Sequence, residues 1–259
     1  MALKDSNKSS TTLRAFRILE IVGHATSPLS VADVSERASL DRTTVYRTLM
    51  TLMDAGYLVR DDSSKLYALS YRFVTLAKNL LEEDNDLALV RDTLKETSRL
   101  TGETCHYSVL ERYETVIIMK SKGTQLVSVD FQIGERGPIH ATSIGKALLA
   151  FQDARMAEEV IARGLKKYGP NTITEAGAFR AELRKIRSRG YAIDDFEFAE
   201  DMRCIACPVF ERGGRVRGGV SLSGPASRYD DAKLKEMLEV LTSRCRELSA
   251  KLGGVPWTD

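Results

Sequence analysis

Three stretches of the chain bring together residue types that do chemistry. "RTTVYR" sets Arg42 and Arg47 around Thr43, Thr44 and Tyr46. Guanidinium groups bridge guanine edges or phosphates, and the hydroxyls between them suit phosphates or thymine methyls. "HATSIGK", from His140 to Lys146, places Thr142 and Ser143 before a glycine and a lysine. If a helix starts there, its first turn offers free N–H groups and the positive end of the dipole, both suited to an anion. Gly145 then lets a ligand come close, while Lys146 either adds charge or points to solvent. "VSLSG" holds Ser221 and Ser223, which share one face if the run is a strand, because strand side chains alternate.

A fourth stretch, "RCIACPVF", has the Cys-x-x-Cys spacing of Cys204 and Cys207, and Cys105-His106 adds two potential ligands. Zinc sites place such pairs on turns and need a second pair. Here the run is apolar and strand-like, so the two thiols should face opposite ways. A metal- or redox-sensing regulator built on Cys204 and Cys207 is the weaker alternative. The only histidines are His24, His106 and His140, and no G-x-S-x-G elbow, P-loop or HExxH occurs. His140 close to Ser143 has no indicated acidic partner. The reading is therefore not an enzyme, with no catalytic residue, no metal and no cofactor.

The elements that must carry these residues can be read from periodicity. Leu13, Phe16, Leu19 and Ile21 mark a helix before the break "TSPLS". Ser30 and Asp33 form a capping-box pair for a second helix with Val31, Val34 and Ala38 on its apolar side. After the short link "SLD", Asp41 caps a third helix on which Val45, Leu49, Leu52 and Met53 face inward, and Gly56 ends it. "YLVRDDSSKLYALS" alternates on both sides of a polar tip and predicts a hairpin. Three helices with a tight second link, followed by a hairpin, make a winged helix-turn-helix. Ser63, Ser64 and Lys65 lie at the wing tip, where they can reach a phosphate or the minor groove.

Further on, Phe73, Leu76, Ala77, Leu80 and Leu81 predict a helix, and Leu87, Val90, Leu94 and Thr97 another. Strands are expected at 104–110, 115–121 and 126–132, helices at 143–151, 153–163 and 174–189, two strands flanking "RGG", and a last helix over 230–252. This is an α+β domain with a central antiparallel sheet. The organisation is a disordered tail (1–10), a winged helix-turn-helix (11–70), a linker helix (71–86), an α+β sensor-type domain (87–252) and a C-terminal tail (253–259).

The bulk properties agree. The chain has 259 residues, 43% of them hydrophobic and 29% charged, with a formal net charge of +2. That length suits two domains, and near-neutrality neither demands nor excludes nucleic acid, for which a local patch decides. No apolar run approaches the ~20 residues of a membrane span. The polar start is no signal peptide, and four unevenly spaced cysteines do not make a disulfide scaffold. A cytoplasmic protein with reduced thiols is expected.

"TLRAFRILEIV", "SVADVSERASLDRTTVYRTLMTLMDAGYLVRD" and "LYALSYRFVTLA" resemble the winged-helix region of the IclR family of bacterial transcription regulators. The resemblance continues through "RGPIHATSIGKALLA", "RGYAIDDFEFAEDMRCIACPVFERGGRV" and "VSLSGPASR", over roughly residues 11–252. It implies a DNA-binding domain, a linker helix and a GAF-like effector-binding domain. It also implies homodimers, commonly paired as tetramers, on palindromic double-stranded operator DNA, with a small carboxylate or aromatic acid as effector. Carried onto this sequence, DNA is met by Arg42, Thr43, Thr44, Tyr46, Arg47, Ser64 and Lys65. The effector is met by Ser143, Ile144, Asp194, Cys204, Ser221 and Ser223, with Leu126 and Val129 as apolar wall. Two departures stand out: Phe196 replaces the first acid of a pair whose second is Glu197, and Asp201 stands where the family usually has glycine.

Overall fold

A computed structural model describes residues 9–81 and 85–255. The chain divides into two compact units, 1–83 and 84–259. Of the expected tail (1–10), linker helix (71–86) and C-terminal tail (253–259), residues 1–8, 82–84 and 256–259 lie outside the described residues, while Ser9 caps α1 and Ser10 begins it.

The first unit holds α1 (Ser10–Gly23), α2 (Val31–Ala38), α3 (Arg42–Asp54), β1 (Leu58–Arg60), β2 (Tyr67–Leu69) and α4 (Arg72–Leu81). Its starts and stops are chemical. Ser30 and Asp33 close a reciprocal capping box on α2, and the Asp41 carboxylate accepts from Thr44 N–H at 2.8 Å to start α3. Gly56, at φ +79°, ends α3. Tyr57 N–H returns to Leu52 C=O at 2.8 Å and Gly56 N–H to Met53 C=O at 2.9 Å, a Schellman closure. Val34, Val45, Leu49, Leu52, Leu58 and Tyr67 share one core with Ile18 and Val22. The helix marked by Leu13, Phe16, Leu19 and Ile21 forms as α1; its buried face centres on Ile18 and Val22, while Leu13 and Phe16 are exposed, because at 100° per residue they fall on the opposite side of the helix. β1 and β2 pair antiparallel as the wing. Leu29 adds a bridge to Tyr67, with both backbone bonds made, and so fixes the wing to the helical body.

The second unit begins with α5 (Asn85–Thr101). It continues through β3 (Cys105–Glu111), β4 (Glu114–Ser121), β5 (Arg136–Pro138), α6 (Ser143–Leu149), α7 (Ala154–Ala162) and α8 (Ala176–Arg189). Then come β6 (Ala192–Asp195), β7 (Met202–Phe210), β8 (Val216–Pro225) and α9 (Asp231–Lys251). The strands form one six-stranded sheet, β5-β4-β3-β8-β7-β6, with every pairing antiparallel. The alternation sorts its two faces. Cys105, Tyr107, Ile205, Cys207, Val220 and Leu222 pack under α5 and α9. Ala192 and Ala206, from the opposite face, pack with α6 and α8.

The strand expected over 126–132 does not form. Those residues are a loop, and β5 takes the place beside β4 instead. Leu126 and Val127 are exposed, and the loop is held by polar ties rather than by a ladder. Arg228 grips buried Glu103 at 2.6 and 2.9 Å and donates to Val127 C=O at 2.9 Å.

α6 is buried along its whole length. It lies this close because two glycines make room. A methyl group on Gly145 would collide with the Ile139 backbone, and one on Gly219 with the Ile144 side chain and the Cys207 carbonyl. Gly145→Ala is therefore expected to destabilise the second unit by about 1–3 kcal/mol through overpacking. Chemical denaturation of the purified protein checks this, and a wild-type midpoint would contradict it.

Candidate functional site

Two surfaces carry the residues picked out from the sequence. On α3, Val45, Leu49 and Leu52 are buried, while Arg42, Thr43, Tyr46 and Arg47 are exposed and Thr44 is half-buried. The helix is thus divided into a docking face and an open polar face. Thr48 and Thr51 turn their hydroxyls back to the Thr44 and Arg47 carbonyls, at 2.9 Å each, which leaves the arginines and the first-turn hydroxyls as the outward groups. At the wing tip, Asp61 accepts from the N–H and hydroxyl groups of both Ser63 and Ser64. Those bonds hold its carboxyl far below the usual carboxylate range. The Ser64 hydroxyl already donates to Asp61, so a bond to phosphate would have to replace that one. Lys65 is exposed and sits in the left-handed region at φ 59°.

The second surface is a cavity of about 490 Å³ of empty space, its open mouth included, between α6 and the sheet. Strand alternation builds its floor. Ser223, Cys204 and Asp194 are register partners across β8, β7 and β6, and Ser221 stands beside Ser223 on the same face. Ser143 and Ile144 come from the start of α6, where the Thr142 hydroxyl accepts from Gly145 N–H at 3.1 Å. Six of the eight residues carried over from the family resemblance therefore meet in one place: Ser143, Ile144, Asp194, Cys204, Ser221 and Ser223. Leu126 and Val129 do not. Leu126 is fully exposed, and neither residue lines the cavity; the segment that carries them is a loop and not the expected strand. The apolar wall is supplied instead by Ile117, Phe131, Phe198 and Met202. Ser108 and Thr115 were also missed. Ser108 was legible as the polar alternate of Tyr107 and Val109 on β3. Phe131 and Phe198 come from loops and gave no periodic signal.

Electrostatics in the wall are unusual. Asp194 accepts from Glu197 N–H at 2.7 Å and Phe198 N–H at 3.2 Å through one oxygen, and its other oxygen has no partner. Burial pushes its carboxyl up to about 6, against those two bonds and nearby Lys146. Lys146 is not at the surface. It is fully buried, ion-paired with Glu197 and bonded to Ile193 C=O at 2.8 Å. Burial pushes Glu197 up to about 7, against the pull of that lysine. Gly145 faces the Ile139 backbone rather than the cavity, so its smallness serves packing and not ligand approach. Phe196 takes the left-handed conformation at φ 62° under the Arg203 guanidinium. Neither Phe196 nor Asp201 lines the cavity.

Cys204 faces the cavity, whereas Cys207 lies in the core under α5 and α9. Burial drives both thiols well up, away from the thiolate that metal binding or redox chemistry uses. His140 bonds the Lys166 carbonyl at 2.9 Å and packs against Tyr168 and Phe179.

Two outcomes follow. Lys146→Met leaves Glu197 buried without its partner and is expected to cost about 3–5 kcal/mol, while Lys146→Met with Glu197→Leu regains most of it. Denaturation midpoints of the two variants check this, and equal losses would contradict it. The Asp194 carboxyl binds its proton more tightly folded than unfolded, so its contribution to stability is lost as pH rises from its ordinary 3.8 through about 6. His106, held down to about 4 by burial, has the opposite slope, but it is common to wild type and variant. Asp194→Asn should therefore gain stability relative to wild type as pH rises across that window. Parallel melting curves would refute it.

Comparison with known proteins places both units. The chain matches the family model of the IclR helix-turn-helix domain over residues 11–62 and that of the bacterial transcriptional regulator IclR C-terminal domain over 80–250. It is 32% identical to the transcriptional regulator KdgR of Escherichia coli over 96% of this chain and 95% of that one. A crystal structure of the Thermotoga maritima IclR superposes with a TM-score of 0.77 at 31% identity, covering 94% of this chain and 98% of that one. An IclR homologue from Microbacterium hydrocarbonoxydans, complexed with 4-hydroxybenzoate, shares the fold with a TM-score of 0.78 at 24% identity, over 94% and 99% of the two chains. With a helix-turn-helix whose third helix turns an arginine-bearing face outward, and a cavity-bearing antiparallel domain after it, the chain belongs to the IclR family of transcriptional regulators, which bind DNA and are not enzymes.

Proposed function

We propose that the second unit senses a small organic-acid metabolite in the cavity between α6 and the sheet, and that its occupancy sets the affinity of the winged helix for an operator. The observation that carries this reading is the cavity itself. It combines a row of polar side chains on its floor with an aromatic and aliphatic wall, the mix of surfaces that small-molecule sites present. The 4-hydroxybenzoate held by the Microbacterium relative gives one example of such a ligand in this fold. On the DNA side, Arg42, Thr43, Thr44, Tyr46 and Arg47 read or position the duplex, and Lys65 holds a phosphate beside the wing, with Ser64 in a lesser role. The chain acts as a homodimer, or as a dimer of dimers, on half-sites related by two-fold symmetry and set a whole number of helical turns apart. The exposed Val74 and Leu76 of α4, with Tyr71 just before it, supply part of the dimer contact. The effector's influence passes through the segment around residues 71–100. Such a regulator works in the cytoplasm, and among the described residues no helix is long and apolar enough to cross a membrane.

The test is a fluorescence-anisotropy titration of DNA from upstream of the gene itself. Arg47→Ala is expected to lose about 1–3 kcal/mol of binding, roughly five- to 150-fold. Unchanged affinity would remove Arg47 from the reading helix. Light scattering that returns a monomer at working concentration would remove the dimer.

A further inference from the structure

Three buried polar side chains on the cavity side of the sheet have atoms without a hydrogen-bond partner: Ser108 Oγ, Asp194 Oδ2 and both ring nitrogens of His106. Each of these residues is about 1% exposed. Ser108 and Asp194 line the cavity, and His106 stands one side chain behind it. Strand alternation puts His106 on the same face of β3 as Ser108, and its register partner on β8 is Ser221, a cavity residue. Phe131 separates the imidazole from the cavity. It lines the cavity and packs edge-on against the His106 ring, with centroids 5.6 Å apart. The Phe131 carbonyl lies near that ring without meeting hydrogen-bond geometry. Buried polar atoms are nearly always paired, so a cluster of unpaired ones along one cavity calls for a partner that brings polar atoms of its own.

The unpaired groups ask for different things. An ionised Asp194 offers only an acceptor and needs a donor. Burial keeps the His106 imidazole neutral at physiological pH, with one donor and one acceptor. The Ser108 hydroxyl serves either way. A bare carboxylate only accepts: it satisfies Ser108 and one imidazole nitrogen, and it repels Asp194. Hydroxyl groups both donate and accept, so a ligand that carries more than one can meet all three.

Building on the organic-acid reading above, we propose that the cavity takes an acid bearing hydroxyl groups besides its carboxylate, and that His106 is a specificity contact for that ligand, reached when Phe131 turns aside. One ligand hydroxyl donates to Asp194. The carboxylate lies away from Asp194, and a second oxygen takes the His106 N–H.

The experiment is isothermal titration calorimetry of the full-length protein with three matched pairs of acids: hexanoate and gluconate, adipate and galactarate, benzoate and 4-hydroxybenzoate. The expected result is binding of the hydroxylated member of at least one pair and no measurable binding of its partner. His106→Leu should weaken that binding about tenfold or more, and His106→Gln, which keeps a donor and an acceptor, should restore part of it. The free His106→Leu protein should melt no lower than wild type, since it loses a buried unpaired group. A lowered melting temperature with unchanged affinity would make His106 a structural residue and overturn the proposal. Equal binding of both members of every pair that binds would also overturn it, while leaving the effector reading intact. If none of the six acids binds wild type, the organic-acid reading falls and this inference falls with it.

Discussion

The ion pair between Lys146 and Glu197 is the constraint on which the cavity depends. Both side chains are buried, so each charge carries a desolvation cost that the other offsets, with the Ile193 carbonyl as a second partner for Lys146. Lys146 lies on α6 and Glu197 on the turn between β6 and β7. The pair therefore ties the wall helix to the loop that follows Asp194 and holds Phe198. The same loop is closed a second time by Asp194, which accepts from the Glu197 and Phe198 backbone. Thr172 closes it a third time by donating to the Glu197 carbonyl. Hydrophobic packing positions α6 against the sheet, but it is not directional. The charge and hydrogen-bond geometry fixes which residues of the loop face inward.

The winged unit solves a different problem with different means. Its core is small, so local chemistry must define each helix end. Asp41, Ser30 and the Schellman turn at Gly56 do so, at about 0.5–2 kcal/mol for a cap of this kind. The Leu29–Tyr67 bridge pins the two-stranded hairpin to the helical body, and Tyr67 buries its ring in the shared core. Two strands alone are marginal in water, and packing against helices stabilises them. The exposed arginines of α3 thus project from a helix whose start, end and docking face are all set by other residues.

What could be read from the sequence was whatever depended on near neighbours. The buried stripe of α9, running through Leu234, Met237, Leu241, Cys245 and Leu248, repeats at helical spacing and was legible. So were the capping box, the end of α3, the hairpin and the shared face of Ser221 and Ser223. The order of familiar segments then placed six cavity residues. What failed depended on distant partners. Lys146 is polar and sits on a helix, so solvent was an open choice until Glu197, 51 positions on, was seen to meet it. Gly145 was read for a ligand because the Ile139 backbone that crowds it was not visible. The alternation over 126–132 had the pattern of a strand, but β5 pairs with β4 in its place, so the segment had no partner. Leu13, Phe16, Leu19 and Ile21 marked α1 as a helix, but one helix with apolar residues all around does not announce that its buried face runs through Ile18 and Val22.

The two units also differ in how finished they are. On α3 the polar groups are either turned back on the helix or left open to water, and neither state is strained. In the cavity, a carboxylate oxygen, a serine hydroxyl and a neutral imidazole are withdrawn from water without protein partners. A ligand that supplies those bonds gains from groups whose desolvation folding has already exacted, so a few well-placed hydroxyls can contribute more there than on an open surface. Regulation needs only a differential: a ligand shifts an equilibrium by no more than the difference in its affinity for the two states. A coupling of about 1–3 kcal/mol is enough to change operator affinity by one to two orders of magnitude. Two or three hydrogen bonds made in one state of the segments around Asp194 and Phe131, and not in the other, fall within that range.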